Sequence, residues 1–482
     1  MPVPTVNNNK ETLRNSLPES SLTLQTETRA SLLSPELHQT VWRLAWPSVT
    51  TMLLQTVNSL LDIFFVGHLS NGKQALAATG SAGGVIFLLI SLAMGVSVGT
   101  TALVARFTGA GQNEDAIKAT AQSLTLSLIL GLSFGIPMYL ARYMLAGWML
   151  NAEASPEAVR LCGQFLGMAL LASVPMFVGM VLQSAFRGLG DTRTPLYIMI
   201  VTVTVHISLN YLLINGRLGF PALGVQGAGI ALASSLLVSM LLSAFLMYSR
   251  SPLRAAFSRT ALLPHREWFV RILRIGIPAS IQAVVRTASM MVFTRMLANT
   301  ADGAAAVAAL QIGIRSEAIA FMPGFGYSVA ASALVGQNLG AKKLERAEQS
   351  GWAATIQAMG VMCVMAVVFY VFADPISRIF TSDPLVQKFG ADYLRVNAFC
   401  EPFLALGMVL TGALQGAGET FRPTIITLIS MVVVRMPLAY FLMFTLNLQT
   451  HGAWISMAVT TIVGGILTLF VFRAGTWKKL KV

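Results

Sequence analysis

Charge is scarce in this chain of 482 residues: Asp, Glu, Lys and Arg together make up 11%, against about a quarter in soluble globular domains. That shortage argues against an ordinary soluble fold. Cysteine is scarcer still. Cys162, Cys363 and Cys400 show no metal-like spacing and sit in apolar stretches, so core packing is their expected role. No GxxxxGK[ST] loop occurs, which leaves no evident ATP site. No Ser-His-Asp, thiol or zinc constellation appears either, so neither an enzyme nor a cofactor or metal protein is expected. The first 38 residues lack an apolar h-region and carry Glu11, Glu19, Glu27 and Glu36, which excludes a signal peptide and reads as a disordered tail.

What the chain has instead is apolar length. Hydrophobic residues are 55% of it and the mean hydropathy is +0.68. A membrane crossing needs about 20 mostly apolar residues, because unpaired backbone groups are not left in hydrocarbon. Twelve segments qualify, near 41–66, 75–104, 118–141, 160–185, 194–215, 226–248, 269–298, 304–335, 350–373, 389–412, 421–445 and 452–472. The fold class expected is an all-α polytopic membrane protein.

The net charge of +13 invites a nucleic-acid reading, and its distribution rejects it. Arg250, Arg254, Arg259, Arg266, Arg271 and Arg274 cluster between helices six and seven, followed by Lys342, Lys343 and Arg346. Arg473, Lys478, Lys479 and Lys481 end the chain, while the opposite loops at 299–303 and 447–452 are nearly free of base. By the positive-inside rule both termini are cytoplasmic. An even number of helices requires the same.

Gly179–Pro195, GMVLQSAFRGLGDTRTP, returns in the second half of the chain as Gly407–Pro423, GMVLTGALQGAGETFRP, with nine of seventeen positions identical. LVARFTGAGQNEDA from Leu103 and LVGQNLGAKKLERA from Leu334 recur at nearly the same interval, and so Pro47 matches Pro278, Gly95 Gly326 and Ser97 Ser328. The whole chain is therefore read as a duplication. Six helices return the chain to the same face, so the copies are parallel repeats related by an axis along the membrane normal. The expected organisation is a tail at 1–40, an N-lobe at 41–248, a basic linker at 249–268, a C-lobe at 269–472 and a basic tail at 473–482, with a central cleft between two pseudo-symmetric six-helix bundles. Duplicated membrane chains of this kind are most economically transporters. In the repeated GLGDTRTP and GAGETFRP loops the acid, with Thr192 or Thr420, is expected to cap the next helix and to act on conformation.

Ionisable side chains inside a bilayer cost about 2.5–3.5 kcal/mol each on insertion scales, so each needs a reason. Asp62, His206, Arg286, Glu317 and Arg435 lie deep in helices, with Arg295 and Arg315 shallower and Glu401 in helix ten. Gln55, Asn58 and Asp62 recur at spacings of three and four on one helix face. A carboxylate beside amides suits a proton or a hard cation such as Na⁺. The bland alternative is a carboxylate neutralised by an arginine. His206 and Asn210, one turn apart, are placed to complete the pocket. At the interval that matches Pro47 with Pro278, Asp62 becomes Phe293 and Gln55 becomes Arg286, so the carboxylate is not duplicated. Arg286, Glu317 and Arg435 either form a buried Arg–Glu pair or, with Met290, line and gate the cleft.

The stretch WPSVTTMLLQTVNSLLDIFFVGHLS resembles the MATE multidrug and toxin extruders, nearest to their DinF-like branch. LVARFTGAG, LVGQNLGAKKLERA, FRGLGDTRTP, LNYLLING and FMPGFGYSVAASALVGQ are similar to the same family, and the likeness runs from residue 41 to 472. It implies twelve helices in two lobes and secondary active efflux of small molecules driven by inward H⁺ or Na⁺. DinF-like members couple through a first-helix aspartate, which matches Asp62. They often add Asn and Asp one turn apart in helix five, where this chain has His206 and Asn210. The second carboxylate is missing, which favours H⁺ over Na⁺. Relatives of the NorM type keep acids in the second lobe, where helix seven here offers Arg286. The expected protein is a monomeric antiporter of a bacterial inner membrane, exporting organic, often cationic, amphipathic compounds. An organic-anion exporter or lipid-linked precursor flippase of the same superfamily is the alternative.

Overall fold

The computed structural model describes residues 36–69, 71–150 and 155–480, and among them it contains helices and no strand. Ten helices cross by length and composition, and two bent pairs make twelve. In chain order they are α1 Leu37–Gly67, α2 Gly72–Ala110, α3 Asn113–Leu140, α4 Pro156–Leu171 with Ser173–Gly188, α5 Arg193–Asn215 and α6 Gly224–Arg250. The second set is α7 Arg266–Ala298, α8 Gly303–Gly340, α9 Leu344–Val371, α10 Pro384–Ala398 with Glu401–Gly416, α11 Phe421–Thr445 and α12 Gln449–Arg473.

The structure adds detail to the expected spans. The tail at 1–40 lies outside the described residues except at its end, where α1 already begins at Leu37. Helices four and ten are not single rods: they bend by 47° and 59°. In each the second half opens on a proline, Pro175 or Pro402, which has no N–H to continue the preceding helix. The linker is partly ordered, with helical turns at Arg254–Phe257 and Arg259–Leu262. Gln122 of α3 clasps it, donating to the carbonyls of Ala261 and Leu263 at 2.7 Å each and accepting from the His265 amide at 2.8 Å. The C-terminal segment forms a helical turn at Thr476–Lys479; Lys481 lies outside the described residues.

The duplication reappears as geometry. A β-carbon on Gly276 of α7 would stand 2.8 Å from the carbonyl oxygen of Gly95 in α2. One on Gly326 of α8 would stand 3.0 Å from that of Ala45 in α1. Gly95 and Gly326 hold equivalent places in the two repeats, and so do Ala45 and Gly276. Without a hydrophobic force between helices in lipid, such small residues let backbones meet closely enough for dispersion to hold them. The turn after α2 uses Gly111 at φ 74°, and the turn after α8 uses its counterpart Lys342 at φ 59°.

These close approaches between lobes, with Gly336 against Ala105, all fall in the half of the molecule nearest the linker. The lobes are sealed there. Near the middle of both helices the Thr56 hydroxyl of α1 lies 3.7 Å from the Met322 sulfur of α8.

The repeated loops cap helices as expected, with one change of atom. Asp191 itself accepts from the Arg193 and Thr194 amides at 3.0 and 2.9 Å, and Glu419 accepts from the Arg422 amide at 3.1 Å. Thr192 and Thr420 occupy the cap positions without a side-chain cap bond.

Candidate functional site

α1 and α5 run parallel and in register. Asn58 meets His206, and four residues on Asp62 meets Asn210, each pair 148 residues apart. Residues four apart lie on one helix face, so two polar pairs form one cluster spanning a single turn. The Asn210 amide donates to Asp62 Oδ1 at 2.6 Å. His206 Nε2 stands 3.6 Å from the same oxygen and 3.5 Å from the Asn210 nitrogen. On the other side of the ring, Nδ1 lies 2.8 Å from the Asn58 amide nitrogen and 3.0 Å from its oxygen.

Burial across the cluster is uneven. His206 is 3% exposed and Asn210 1%, whereas the Asp62 side chain keeps 37% of its surface. The carboxylate is therefore reachable while its partners are enclosed. No Arg or Lys among the described residues forms an ion pair with Asp62. The Asn210 side-chain oxygen is buried with no hydrogen-bond partner among the described residues, an orphan acceptor whose desolvation costs about 1–3 kcal/mol. It lies beside the one carboxylate in the cluster.

Gln55 does not join. It is exposed and makes no side-chain hydrogen bond to Asn58, Asp62, His206 or Asn210. Two turns separate it from Asp62, and the register of α1 on α5 sets an apolar residue, Val203, opposite it.

The second lobe is built differently. Tyr393 of α10, fully buried, donates its hydroxyl to Glu317 of α8 at 2.8 Å and lies edge-on to Trp454 at 4.9 Å. Arg435, 6% exposed, donates to the Thr460 hydroxyl of α12 at 2.9 Å. Of the two readings left open for Arg286, Glu317 and Arg435, an Arg286–Glu317 ion pair is not found among the described residues. Arg286 is exposed, without a hydrogen-bond or ion-pair partner among the described residues, and close enough to Arg435 for the like charges to act on each other.

Arg435 owes its aim to a local break: α11 is wound as a π-helix at Ile429–Val434 and again at Phe441–Thr445. Pro437 lies between them and lacks the N–H that a regular ladder needs. Glu401 is 1% exposed, with Oε2 unpartnered among the described residues. Met290 is half-buried against the core around Phe293, which is fully buried where Asp62 stands in the first lobe. Sequence reasoning missed Tyr393 and Thr460: neither carries a formal charge to mark it, and Tyr393 lies between the more conspicuous Asp392 and Arg395.

Two six-helix repeats closed at one end, with polar clusters inside helices, define an integral membrane transporter. Comparison with known proteins gives the family. The MatE family model matches the chain twice, at residues 47–212 and 278–441. A probable multidrug resistance protein NorM of Thermotoga maritima is 31% identical over 454 residues, covering 93% of this chain and 95% of that protein. The structure of an outward-facing multidrug resistance MATE family transporter of the MOP superfamily superposes with a TM-score of 0.84 at 27% identity, covering 92% and 96% of the two chains. A MOP superfamily transporter from Pyrococcus furiosus, whose binding pocket is described as of reverse polarity and suggestive of a different function, superposes with a TM-score of 0.85 at 26% identity, covering 94% and 99%. The chain belongs to the MatE family; it is a transporter, not an enzyme.

The repeat register set by Gly179–Pro195 and Gly407–Pro423 places Val434, the neighbour of Arg435, opposite His206, so the imidazole of the first lobe is not repeated in the second.

Proposed function

We propose that the chain is a multidrug efflux antiporter that exports organic, often cationic, amphipathic compounds in exchange for protons, with Asp62 as the coupling carboxylate. It lies in a bacterial inner membrane with both termini cytoplasmic and works as a monomer, since one chain holds both lobes. The observation that carries the reading is the reachable Asp62 carboxylate backed by the enclosed Asn210 and His206.

With the lobes sealed at the linker face, proton uptake at Asp62 from the far side neutralises the carboxylate and releases a cationic compound. Reorientation then exposes the site to the cytoplasm, where the proton leaves and a new compound binds. A ligand moves this equilibrium only as far as its affinity differs between the two states. Competition for one charge supplies that difference. A single carboxylate flanked by an imidazole fits one proton better than Na⁺, a hard cation that prefers several oxygens.

The test is counterflow in proteoliposomes under separately imposed pH and Na⁺ gradients. Uptake should follow the pH gradient in the native protein and vanish in Asp62→Asn, with folding intact. Gradient-driven transport at native rate by that variant would end the assignment.

A second reading, export of organic anions, is favoured by one observation: Arg286, exposed and without a partner among the described residues, near Arg435. Comparing anionic with cationic substrates separates the two.

A further inference from the structure

We propose that His206 is a tautomeric relay: its ring proton changes nitrogen when Asp62 gains or loses a proton, and Asn58 turns its amide over in response. The proposal rests on the reading of Asp62 as the proton-binding carboxylate and goes beyond it to say how the charge state is passed to the wall of α1.

A neutral imidazole carries one N–H and one lone pair, on opposite nitrogens. Here each nitrogen faces groups of a different kind. Nε2 faces Asp62 Oδ1 at 3.6 Å and the Asn210 nitrogen at 3.5 Å. Nδ1 faces the Asn58 side chain, with the amide nitrogen at 2.8 Å and the oxygen at 3.0 Å. Either end of that amide is thus within hydrogen-bond reach of the same ring nitrogen.

When Asp62 is anionic, electrostatics place the ring proton on Nε2, toward the carboxylate. Nδ1 is then a lone pair, which accepts from the Asn58 NH₂. When Asp62 is protonated, its O–H turns Nε2 into the acceptor, and the ring proton sits on Nδ1. Nδ1–H then donates to the Asn58 oxygen. The cluster takes up one proton in all, on Asp62. The ring loses its Nε2 proton to water and gains one from water on Nδ1, so its own count is unchanged.

The tautomer is set by the hydrogen bond at the other nitrogen, and few charges compete to set it. Asp62 is the ionisable group facing His206 from α1. α6, packed on α5, has none before Tyr248. The second half of α4 carries Arg187, which donates to Ser184 at 2.6 Å near the linker end of that helix.

Asn58 is only half-buried, so the amide atom not used on His206 is presented outward. That atom is the oxygen when Asp62 is charged and the NH₂ when it is protonated. The deprotonated cluster therefore shows acceptors alone and suits compounds that donate hydrogen bonds, such as protonated amines. The protonated cluster shows a donor and repels them.

The experiment is ¹⁵N NMR of histidine-labelled full-length protein in nanodiscs across pH, with the Asp62 carboxyl followed by difference infrared spectroscopy. Asp62→Asn and Asn58→Leu serve as comparisons. As the protonated carboxyl band grows, the protonated and lone-pair resonances of His206 should exchange places. Asp62→Asn should hold one tautomer at every pH, and Asn58→Leu should leave a mixture. A carboxyl band that grows while the His206 tautomer stays fixed overturns the relay and leaves the proton site standing. A protein that couples to the pH gradient with no Asp62 carboxyl band overturns both.

Discussion

Gln337 of α8 donates its side-chain amide across the lobe boundary to the carbonyl oxygen of Gly188 at 2.9 Å. Arg106, its counterpart in the first repeat, makes the corresponding reach to Ala417 at 3.5 Å. Two similarly placed hydrogen bonds, whose acceptors differ by one residue in the repeat register, thus tie α2 and α8 to the opposite lobe's α4 and α10 ends, and the seal at the linker face is close to symmetric because the repeats are.

Filling this seal should open it. A β-carbon on Gly340 would stand 2.8 Å from the Ala110 nitrogen, backbone that has no rotamer to yield. Gly340→Leu is expected to cost the sealed state about 1–3 kcal/mol, the range for overpacking. Accessibility of cysteines introduced near Ala105, read with a membrane-permeant thiol reagent, should rise. Unchanged labelling would show that the seal bears no strain there.

The C-terminal turn breaks the symmetry. Trp477 is fully buried and stacks on Phe472 at 4.9 Å, Lys478 pairs with Glu348 at 2.6 Å, and Arg106 donates to the Leu480 carbonyl at 2.5 Å. Trp477→Ala should remove about 3–5 kcal/mol of packing, felt locally as release of the segment. Limited proteolysis should then cut after residue 473 far faster than in the native protein. Equal rates would mean that the segment is held by its polar contacts alone.

Tyr393→Phe deletes the donor to Glu317 and keeps the ring against Trp454. Leaving a buried carboxyl oxygen unpaired is expected to cost about 1–3 kcal/mol of stability. Thermal unfolding in detergent should show it. If Glu317 is only a structural group, transport per folded molecule should match the native protein; a change in substrate range would place Glu317 on the substrate path.

Arg286→Ala removes an exposed cation from inside a spanning helix, a group costly to keep there. If it repels cationic compounds or holds anionic ones, the variant should gain on cationic dyes and lose on organic anions, by about tenfold or more for a charge worth about 1.4 kcal/mol or more. Equal transport of both classes would assign the residue to neither.

The helices, the repeat and Asp62 were all legible, because the bilayer makes apolar length and rare charge loud signals. The two bent helices were less so, since each reads as one span by length, and the breaks are marked only by Pro175 in one and by Glu401 with Pro402 in the other. Within the site, spacing grouped Gln55 with Asn58 and Asp62 as one face. His206 and Asn210 were legible one turn apart in α5, but not the register of α5 on α1, which sets Val203 opposite Gln55 and leaves it out.

The sequence by itself determined that the chain spans a membrane, that it is two copies of one unit, and that the copies differ in their buried charges. Those properties reside in composition, period and offset, which need no partner residue to be read. Only the tertiary structure decided which of the polar residues meet. Asp62 is joined to Asn210 and His206, Glu317 to Tyr393 instead of Arg286, and Arg435 to Thr460. Hydrogen bonds and ion pairs fall off within a few ångströms, so their partners are fixed by helix register and rotation. Those come from the packing of the whole bundle and from breaks such as the π-wound turns around Pro437.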